Sequence, residues 1–240
     1  MTQDEAKRMA ARRALEFVED GMLLGLGSGT TSSIFIQELG ERVKQGLRVR
    51  GIATSTASQQ LAESLSIPMT TFDESPELDL AIDGADEVGP GLALIKGGGG
   101  AMLREKIVAS AARKFIVIAD SSKLVHRLGR FPLPVEVIQM ALPIVARKLE
   151  AFGLNPKLRH HRDGSKYITD EGNYILDCAC GEITNTAKTA ANIRGIPGVV
   201  EHGLFLGMAS VALIASAKGV MKVGKWYGDR YNRAISGLAS

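Results

Sequence analysis

Four consecutive glycines stand between two residues that could do chemistry together, Lys96 and Glu105. Ordering the run 97–100 costs about 0.5–1 kcal/mol per residue relative to alanine in regular structure, so a chain tolerates it where a ligand needs room beside bare backbone. Lys96 would place a positive charge in such a cleft, and Glu105, in the helix that follows the glycines, would place a carboxylate in the same cleft. Taken singly, Lys96 could be a surface ammonium and Glu105 an acid favoured by a helix N-terminus.

Three carboxylates crowd a short segment that directly follows an apolar run. The segment is Asp83, Gly84, Ala85, Asp86 and Glu87. Like charges this close repel each other unless something uses them. Two of the acids could exchange protons with the hydroxyl groups of a sugar. A Mg²⁺ site and a solvated acidic turn are the alternatives. The spacing of an EF-hand is absent, which excludes a calcium site of that type.

A third loop, rich in glycine and hydroxyl groups, precedes a predicted helix and favours phosphate binding, because small residues there expose backbone N–H groups at the helix's positive end. It reads Gly25-Leu26-Gly27-Ser28-Gly29-Thr30-Thr31. The lysine of a Walker A loop is missing. Thr30 replaces the third glycine of the dinucleotide fingerprint and no acid ends the next strand, so NAD binding is disfavoured. A tight turn without a ligand is the alternative.

The elements that must position these loops alternate between strand and helix. Apolar runs without polar alternation suit strands that are covered on both faces. The repeat implies right-handed crossovers and a doubly wound, mostly parallel, Rossmann-like α/β sheet. Ligands gather at the carboxyl ends of such strands, so the three loops could share one cleft. The predicted strands are 22–26, 47–53, 78–82, 92–95 and 114–119, and the predicted helices are 3–19 (opened by a Thr2–Glu5 capping box), 32–43, 55–65 and 101–112.

The sequence pattern changes after residue 121, where several prolines interrupt the alternation of strands and helices. A helix at 143–152, short strands at 157–160, 166–169 and 173–178, and a helix at 184–193 predict an inserted, smaller α+β subdomain of ferredoxin-like type. Strands at 204–206 and 211–215 are expected to return to the main sheet. The predicted division is a catalytic domain of residues 1–129 and 202–240 with an inserted subdomain of residues 130–201. The tail at 226–240 is polar and without a clear period.

The composition fits an ordinary water-soluble protein. The formal charge of +3, from 29 basic and 26 acidic residues among 240, is too small to indicate nucleic acid as a partner. The N-terminus lacks the apolar region of a signal peptide, and no apolar run reaches the length of a membrane helix. Cys178 and Cys180 have neither redox nor zinc spacing. We therefore expect a cytoplasmic protein that binds no membrane, with its histidines in surface or structural roles.

Taken together, these motifs resemble the A-type ribose-5-phosphate isomerases, over about residues 1 to 223 and in the same order. Two departures stand out: members often carry Thr-Gly-Ser-Thr where this chain has Ser28-Gly29-Thr30-Thr31, which retains the hydroxyl groups, and the tail beyond Lys222 has no counterpart. The resemblance rests on the three loops, on Arg104-Glu105-Lys106, and on the segments 118–123, 131–137 and 196–200.

The resemblance implies a cofactor-free, metal-free aldose–ketose isomerase of the non-oxidative pentose phosphate pathway, which converts D-ribose 5-phosphate and D-ribulose 5-phosphate through an enediolate. It implies that Glu105 is the general base, that Lys96 stabilises negative charge on the sugar oxygens, and that Asp83 and Asp86 hold hydroxyls. Family members are commonly dimers or tetramers, so a homo-oligomer, for example a homodimer, is expected. The substrate-binding residues would be Ser28, Gly29, Thr30, Thr31, Gly84, Ala85, Gly97, Gly98, Gly99, Lys123 and Lys7.

Two alternatives remain open from the sequence. Effector domains of some transcription regulators have a similar fold, so a non-catalytic sugar-phosphate sensor is one alternative, although the chain before residue 22 has room for only one helix. A transferase that uses a covalent glutamate, as in CoA transferases of related architecture, is the other. It would form a thioester at Glu105, but no extra domain for an acyl carrier is apparent.

Overall fold

Strands and helices alternate along the first half of the chain in the computed structural model, which describes residues 1–224. In chain order the elements are α1 (Gln3–Leu15), β1 (Leu23–Leu26), α2 (Gly29–Lys44), β2 (Arg50–Ala53), α3 (Thr56–Ser64), β3 (Leu78–Asp83), β4 (Glu87–Val88), β5 (Leu94–Ile95), α4 (Met102–Ala111) and β6 (Ala112–Asp120). The remaining elements are β7 (Leu133–Val137), α5 (Leu142–Ala151), β8 (Pro156–Leu158), β9 (Tyr174–Cys178), α6 (Thr186–Arg194), β10 (Val199–His202), β11 (Leu204–Phe205), β12 (Val211–Ser216) and β13 (Gly219–Gly224).

The main sheet has six strands in the order β13-β12-β6-β3-β1-β2. All neighbouring pairs are parallel except β12 and β13, which form an antiparallel hairpin at one edge. Successive residues of β6 alternate between the two cores: Ile116 and Ile118 pack with helices α1 and α2, whereas Phe115 and Val117 pack with α4. Helices therefore cover both faces, and the predicted doubly wound α/β fold is confirmed.

Helix α1 begins as the sequence predicts and ends earlier. The Thr2 hydroxyl accepts from the Glu5 N–H while the Glu5 carboxylate accepts from the Thr2 N–H, which completes the capping box. The helix was predicted to reach residue 19 but ends at Leu15, because the following residues close tighter turns: the Phe17 N–H donates to Ala14 and the Val18 N–H to Leu15.

The second sheet has four antiparallel strands in the order β10-β7-β9-β8. Together with α5 and α6 it follows the chain order β-α-β-β-α-β, which is the split βαβ arrangement of ferredoxin-like units. Its own core includes Val135, Val145, Leu149 and Leu176, all nearly inaccessible to solvent. We propose, as the sequence predicts, that residues 130–201 form a subdomain inserted into a domain of residues 1–129 and 202–240; the tail 226–240 lies outside the described residues.

A third, small sheet links the two others, and it corrects one prediction. Strand β11 was expected in the main sheet, but Leu204 and Phe205 pair with β5 in the order β11-β5-β4. The segment is too short to reach the main sheet after leaving β10, and the β4–β5 hairpin offers a free edge beside it. The loop with Lys96 thus follows a strand of this small sheet and not of the parallel sheet.

Several short elements differ from the sequence prediction. Residues 166–169 were predicted as a strand, but only an isolated bridge joins Lys166 to His160, so that prediction is wrong. Strands β4, β7, β10 and β13 were not predicted. The prolines around β7 obscured its strand pattern, because they suggest turns, whereas Pro134 sits within the paired strand. Among the described helices, none is long and apolar enough to cross a membrane.

Candidate active site

One cleft at the carboxyl edge of the parallel sheet collects the three predicted loops, two of which end the parallel strands β1 and β3 while the third follows β5 of the small sheet. It has a volume of about 140 Å³ and receives residues from the ends of β1 and β3, from the glycine run and from helix α4. Every predicted site residue lines this cleft except Asp83 and Gly98. The lining residues are Gln3, Lys7, Ser28, Gly29, Thr30, Thr31, Gly84, Ala85, Asp86, Lys96, Gly97, Gly99, Glu105 and Lys123.

Lys96 is the charged centre of the cleft, and its side chain is only 2% exposed. Its ammonium lies 2.9 Å from Asp83 Oδ2 and 3.3 Å from Glu105 Oε2, and it donates to the carbonyl of Gly84 at 2.6 Å. The β4–β5 hairpin makes this possible, because the Asp86 N–H donates to the Ile95 carbonyl and brings the end of β5 against the loop after β3. Tertiary structure thus joins an ammonium to two carboxylates.

Asp83 lies beneath the cleft instead of lining it. Its Oδ1 accepts hydrogen bonds from the Ser28 N–H at 3.0 Å, from the Ser32 hydroxyl at 2.9 Å and from the Gly84 N–H at 2.7 Å. A Cβ at residue 27 would overlap this carboxylate, so the chain needs glycine there. Asp83 therefore ties two of the loops together and directs its other oxygen at Lys96.

The three carboxylates of the acidic segment serve separate partners. Asp86 Oδ2 accepts from the Gly98 N–H at 2.7 Å. The buried Glu87 accepts from the Gly129 and Phe131 N–H groups, away from the cleft. Within residues 1–224, no group of three or more His, Cys, Asp or Glu side chains is arranged to hold a metal ion. The Mg²⁺ alternative for this segment therefore lacks a set of converging ligands.

Glu105 lies in the first turn of α4 and is only 6% exposed. Burial raises the pKa of Glu105 to about 8; Lys96 opposes this shift, and the charges of Asp83 and Asp86 add to it. Burial also opposes the charge of Lys96, but Asp83 and Glu105 together raise the pKa of Lys96 above its ordinary value. Lys96 therefore keeps its positive charge near neutral pH, whereas the Glu105 carboxyl gains and loses its proton close to neutral pH.

The N-terminus of helix α2 supplies the hydroxyl-rich wall. Ser28 precedes the helix without capping it, and its hydroxyl instead bonds to the Thr54 hydroxyl at 2.6 Å. Gly29 has a φ of +84°, a conformation that favours glycine. The first N–H groups of α2 consequently lie beside the cleft without a side-chain cap, in an arrangement that suits an anion.

Two lysines complete this end of the cleft. Lys123 lies in the short helical turn Ser121–Lys123 that follows β6, and Lys7 extends from α1 with 13% of its side chain exposed. Sequence reasoning missed Gln3, which lines the cleft and donates to Asp120 Oδ2 at 3.3 Å. Residues 3 and 7 share one face of a capped helix, and that spacing was the signal that could have found Gln3.

Comparisons with known proteins point to one family. The family model described as ribose 5-phosphate isomerase A (phosphoriboisomerase A) matches residues 50–219. The ribose-5-phosphate isomerase A of Nitrobacter hamburgensis is 52% identical over 229 residues, which cover 93% of this chain and 99% of the relative. That of a Roseiflexus species is 53% identical over 220 residues, covering 90% and 94%.

A solved structure agrees with the sequence comparisons. A D-ribose-5-phosphate isomerase in complex with phospho-erythronic acid superposes with a TM-score of 0.91 at 38% identity, over 93% of this chain and all of the other.

The raised pKa of Glu105 predicts a pH-dependent effect of Glu105→Gln on stability. The unfolded carboxyl loses its proton near pH 4.5 and the folded one near 8, so this group's contribution to folding is present below about pH 4.5 and is lost as the pH rises to about 8. The glutamine side chain does not ionise, so the variant does not lose this contribution to its free energy of unfolding. We expect it to exceed the wild type in free energy of unfolding by on the order of a few kcal/mol at about pH 9, and by much less at about pH 5.

Urea unfolding at the two pH values measures this difference, and the exposed Glu150→Gln controls for the loss of a negative charge. A difference between Glu105→Gln and wild type that stays constant from acid to alkaline pH would show that ionising Glu105 does not cost folding energy.

Proposed function

Because the chain belongs to the ribose 5-phosphate isomerase A family and is an isomerase, we propose that it interconverts D-ribose 5-phosphate and D-ribulose 5-phosphate through an enediolate, with Glu105 as the general base. One observation carries this proposal: the Lys96 ammonium lies between Asp83 and Glu105, 3.3 Å from the Glu105 carboxylate, in a cleft of the parallel sheet's carboxyl edge. A proton acceptor and a fixed positive charge thus face the same small space.

The chemistry needs no external oxidant or reductant. Glu105 takes the proton from C2 of the open-chain aldose, and the electron pair of that C–H bond forms the C1–C2 double bond as negative charge develops on O1. Glu105 then returns a proton to C1, while the O2 hydroxyl loses its proton and O1 gains one, which gives the ketose. A base whose pKa lies near the working pH suits both halves of this cycle.

Lys96 stabilises the charge that develops on the sugar oxygens. Its position is fixed before the substrate arrives, by Asp83 on one side and by the Gly84 carbonyl on the other, so little reorganisation is needed at the moment of reaction. Asp83 acts through Lys96, since it does not line the cleft. Asp86 lines the cleft and is the acid that holds sugar hydroxyls and assists ring opening.

The opposite end of the cleft binds the phosphate in this proposal. The backbone and hydroxyl groups of residues 28–31 supply donors at the start of α2, and Lys7 and Lys123 supply positive charge. A structural relative at TM-score 0.91 is in complex with phospho-erythronic acid, a phosphorylated sugar acid. Its carboxylate resembles the charged oxygens of an enediolate, which fits a site with an anion-binding region at each end.

The two alternatives lose support at different points. Family membership favours turnover over a non-catalytic sugar-phosphate sensor. A covalent thioester at Glu105 would need an acyl group to enter a cleft in which Lys96 already contacts that carboxylate. We also propose that the reaction is cofactor-free and belongs to the non-oxidative pentose phosphate pathway. The free thiols of Cys178 and Cys180 support a cytoplasmic location, where thiols stay reduced.

Removing the base tests the mechanism directly. Glu105→Gln keeps the size of the side chain and cannot accept a proton, so we expect kcat to fall by at least about 10²–10⁴-fold while ribose 5-phosphate still binds. A coupled assay for ribulose 5-phosphate in the presence of EDTA measures turnover, and Glu150→Gln is the matched control. Wild-type turnover in Glu105→Gln would reject Glu105 as the base, and loss of wild-type activity with EDTA would reject metal independence.

The phosphate subsite makes a separate prediction for Lys123→Met. Loss of one charge-assisted hydrogen bond, about 1.5–3 kcal/mol, should raise KM for ribose 5-phosphate by about 10- to 100-fold and change kcat less. Lys157→Met, at an exposed position of β8, is the control. An unchanged KM in Lys123→Met would place the phosphate elsewhere.

We also propose that the chain forms a homo-oligomer, either a dimer or a tetramer. Ile138, Met140 and Ile144 are exposed close together in sequence around the start of α5, with Met140 at 86% exposure, and such apolar clusters favour association. Sedimentation equilibrium of the full chain at micromolar concentration should give a multiple of the chain mass, 25.6 kDa. A monomer under those conditions contradicts this proposal.

A further inference from the structure

The glycine run is held from outside the cleft by a segment of the second sheet. This segment, residues 159–173, connects β8 to β9, and we refer to it as the strap. Its first residue is fixed by two backbone hydrogen bonds, because the Arg159 N–H donates to the Ile175 carbonyl of β9 and the Tyr167 N–H, from the middle of the strap, donates to the Arg159 carbonyl. The strap thus has a defined backbone where it meets the glycine run.

Arg159 makes the central contact. Its guanidinium forms a paired interaction with the Asp177 carboxylate, with Nε 2.8 Å from Oδ2, and the arginine side chain is only 13% exposed. The remaining nitrogen, Nη1, donates to the carbonyl of Gly97 at 3.0 Å and to that of Gly98 at 3.3 Å. One anchored side chain therefore fixes two successive peptide groups of the run.

Other strap residues reinforce the same contact. The Tyr167 hydroxyl donates to the Gly99 carbonyl at 3.3 Å, and the Arg159 guanidinium lies 5.7 Å from the centre of the Tyr167 ring. Further along, Asp170 accepts from the Thr56 N–H at 2.8 Å and pairs with Arg104 at 3.3 Å. The strap is thereby fastened to α3 and to α4, the helix that carries Glu105.

The glycine run needs these donors because it has no side chains of its own. Four glycines lose more conformational freedom on ordering than any other residues, so contacts with their carbonyl groups must offset that cost. A trans peptide also points its C=O and the following N–H in opposite directions. Holding the Gly97 carbonyl outward therefore directs the Gly98 N–H inward, where it donates to Asp86.

We propose that Arg159 is a positioning residue for the isomerisation: by fixing the peptides after Gly97 and Gly98, it sets Asp86 and the spacing of Lys96 and Glu105 for turnover. Arg159 does not line the cleft and so acts through the run alone. This inference rests on the proposed roles of Lys96 and Glu105. Misplacement of reacting groups by about 1 Å costs on the order of 10²-fold in rate, so the effect belongs in kcat.

Kinetics of Arg159→Ala test the proposal. We expect kcat to fall by about 10- to 100-fold while KM for ribose 5-phosphate stays near its wild-type value, because the phosphate subsite lies on other elements. Free guanidinium, at concentrations far below those that unfold proteins, should restore part of the lost kcat, and sodium chloride at equal ionic strength should not. Arg127→Ala is the matched control, since Arg127 is 62% exposed and pairs with Glu182.

Two further variants keep the test decisive if Arg159→Ala does not fold. Arg159→Lys retains the charge beside Asp177 but loses the fork that reaches two carbonyls, and Tyr167→Phe removes only the bond to Gly99. Reduced kcat in Arg159→Lys, with a smaller reduction in Tyr167→Phe, supports positioning. Wild-type kcat in Arg159→Lys, or a loss in Arg159→Ala without guanidinium rescue, overturns it. Glu105→Gln is measured alongside these variants. If Glu105→Gln is inactive while the Arg159 results overturn positioning, the proposed role of Arg159 fails and the proposed role of Glu105 stands.

Discussion

The contact of a buried ammonium with two carboxylates is the constraint on which the rest of the structure depends. Taking Lys96, Asp83 and Glu105 out of water costs several kcal/mol per ion, and only close contacts and additional hydrogen bonds offset that cost. Each member comes from a different element: Asp83 ends β3, Lys96 follows β5, and Glu105 lies in α4. The main sheet, the small sheet and the helix must therefore meet within hydrogen-bonding distance.

The two carboxylates that contact Lys96 are not equally stabilised by hydrogen bonds, and this difference suits a catalytic site. Asp83 Oδ2 and Glu105 Oε2 both face Lys96 without another hydrogen-bond partner, but the second oxygen of Asp83, Oδ1, accepts three hydrogen bonds. The hydrogen-bonded carboxylate of Asp83 holds the ammonium in place, whereas burial raises the pKa of Glu105 to about 8. Sites that strain a charged group in this way often give up stability for activity.

The second sheet takes part in the same arrangement, although it contributes no lining residue to the cleft. Its strap presents Arg159 and Tyr167 to carbonyl groups of the glycine run, while Asp86 receives the Gly98 N–H from the other side. The run is thereby held between two sets of polar groups. Bare backbone beside a substrate is compatible with order only when its carbonyl and N–H groups are both satisfied.

The sequence alone determined the α/β class, the capping box of α1 and the three loops that line most of the cleft, because those properties follow from local patterns: apolar runs, hydroxyl-rich turns and glycines next to charged residues. Lys7 and Lys123 were expected in the cleft only from the family resemblance. Only the tertiary structure decided that Asp83 lies beneath the cleft, that β11 joins the small sheet, and that Arg159 reaches the glycine run from a distant segment. These outcomes depend on which edges and carbonyl groups remain unpaired after the sheets assemble, and no local pattern in the chain records that.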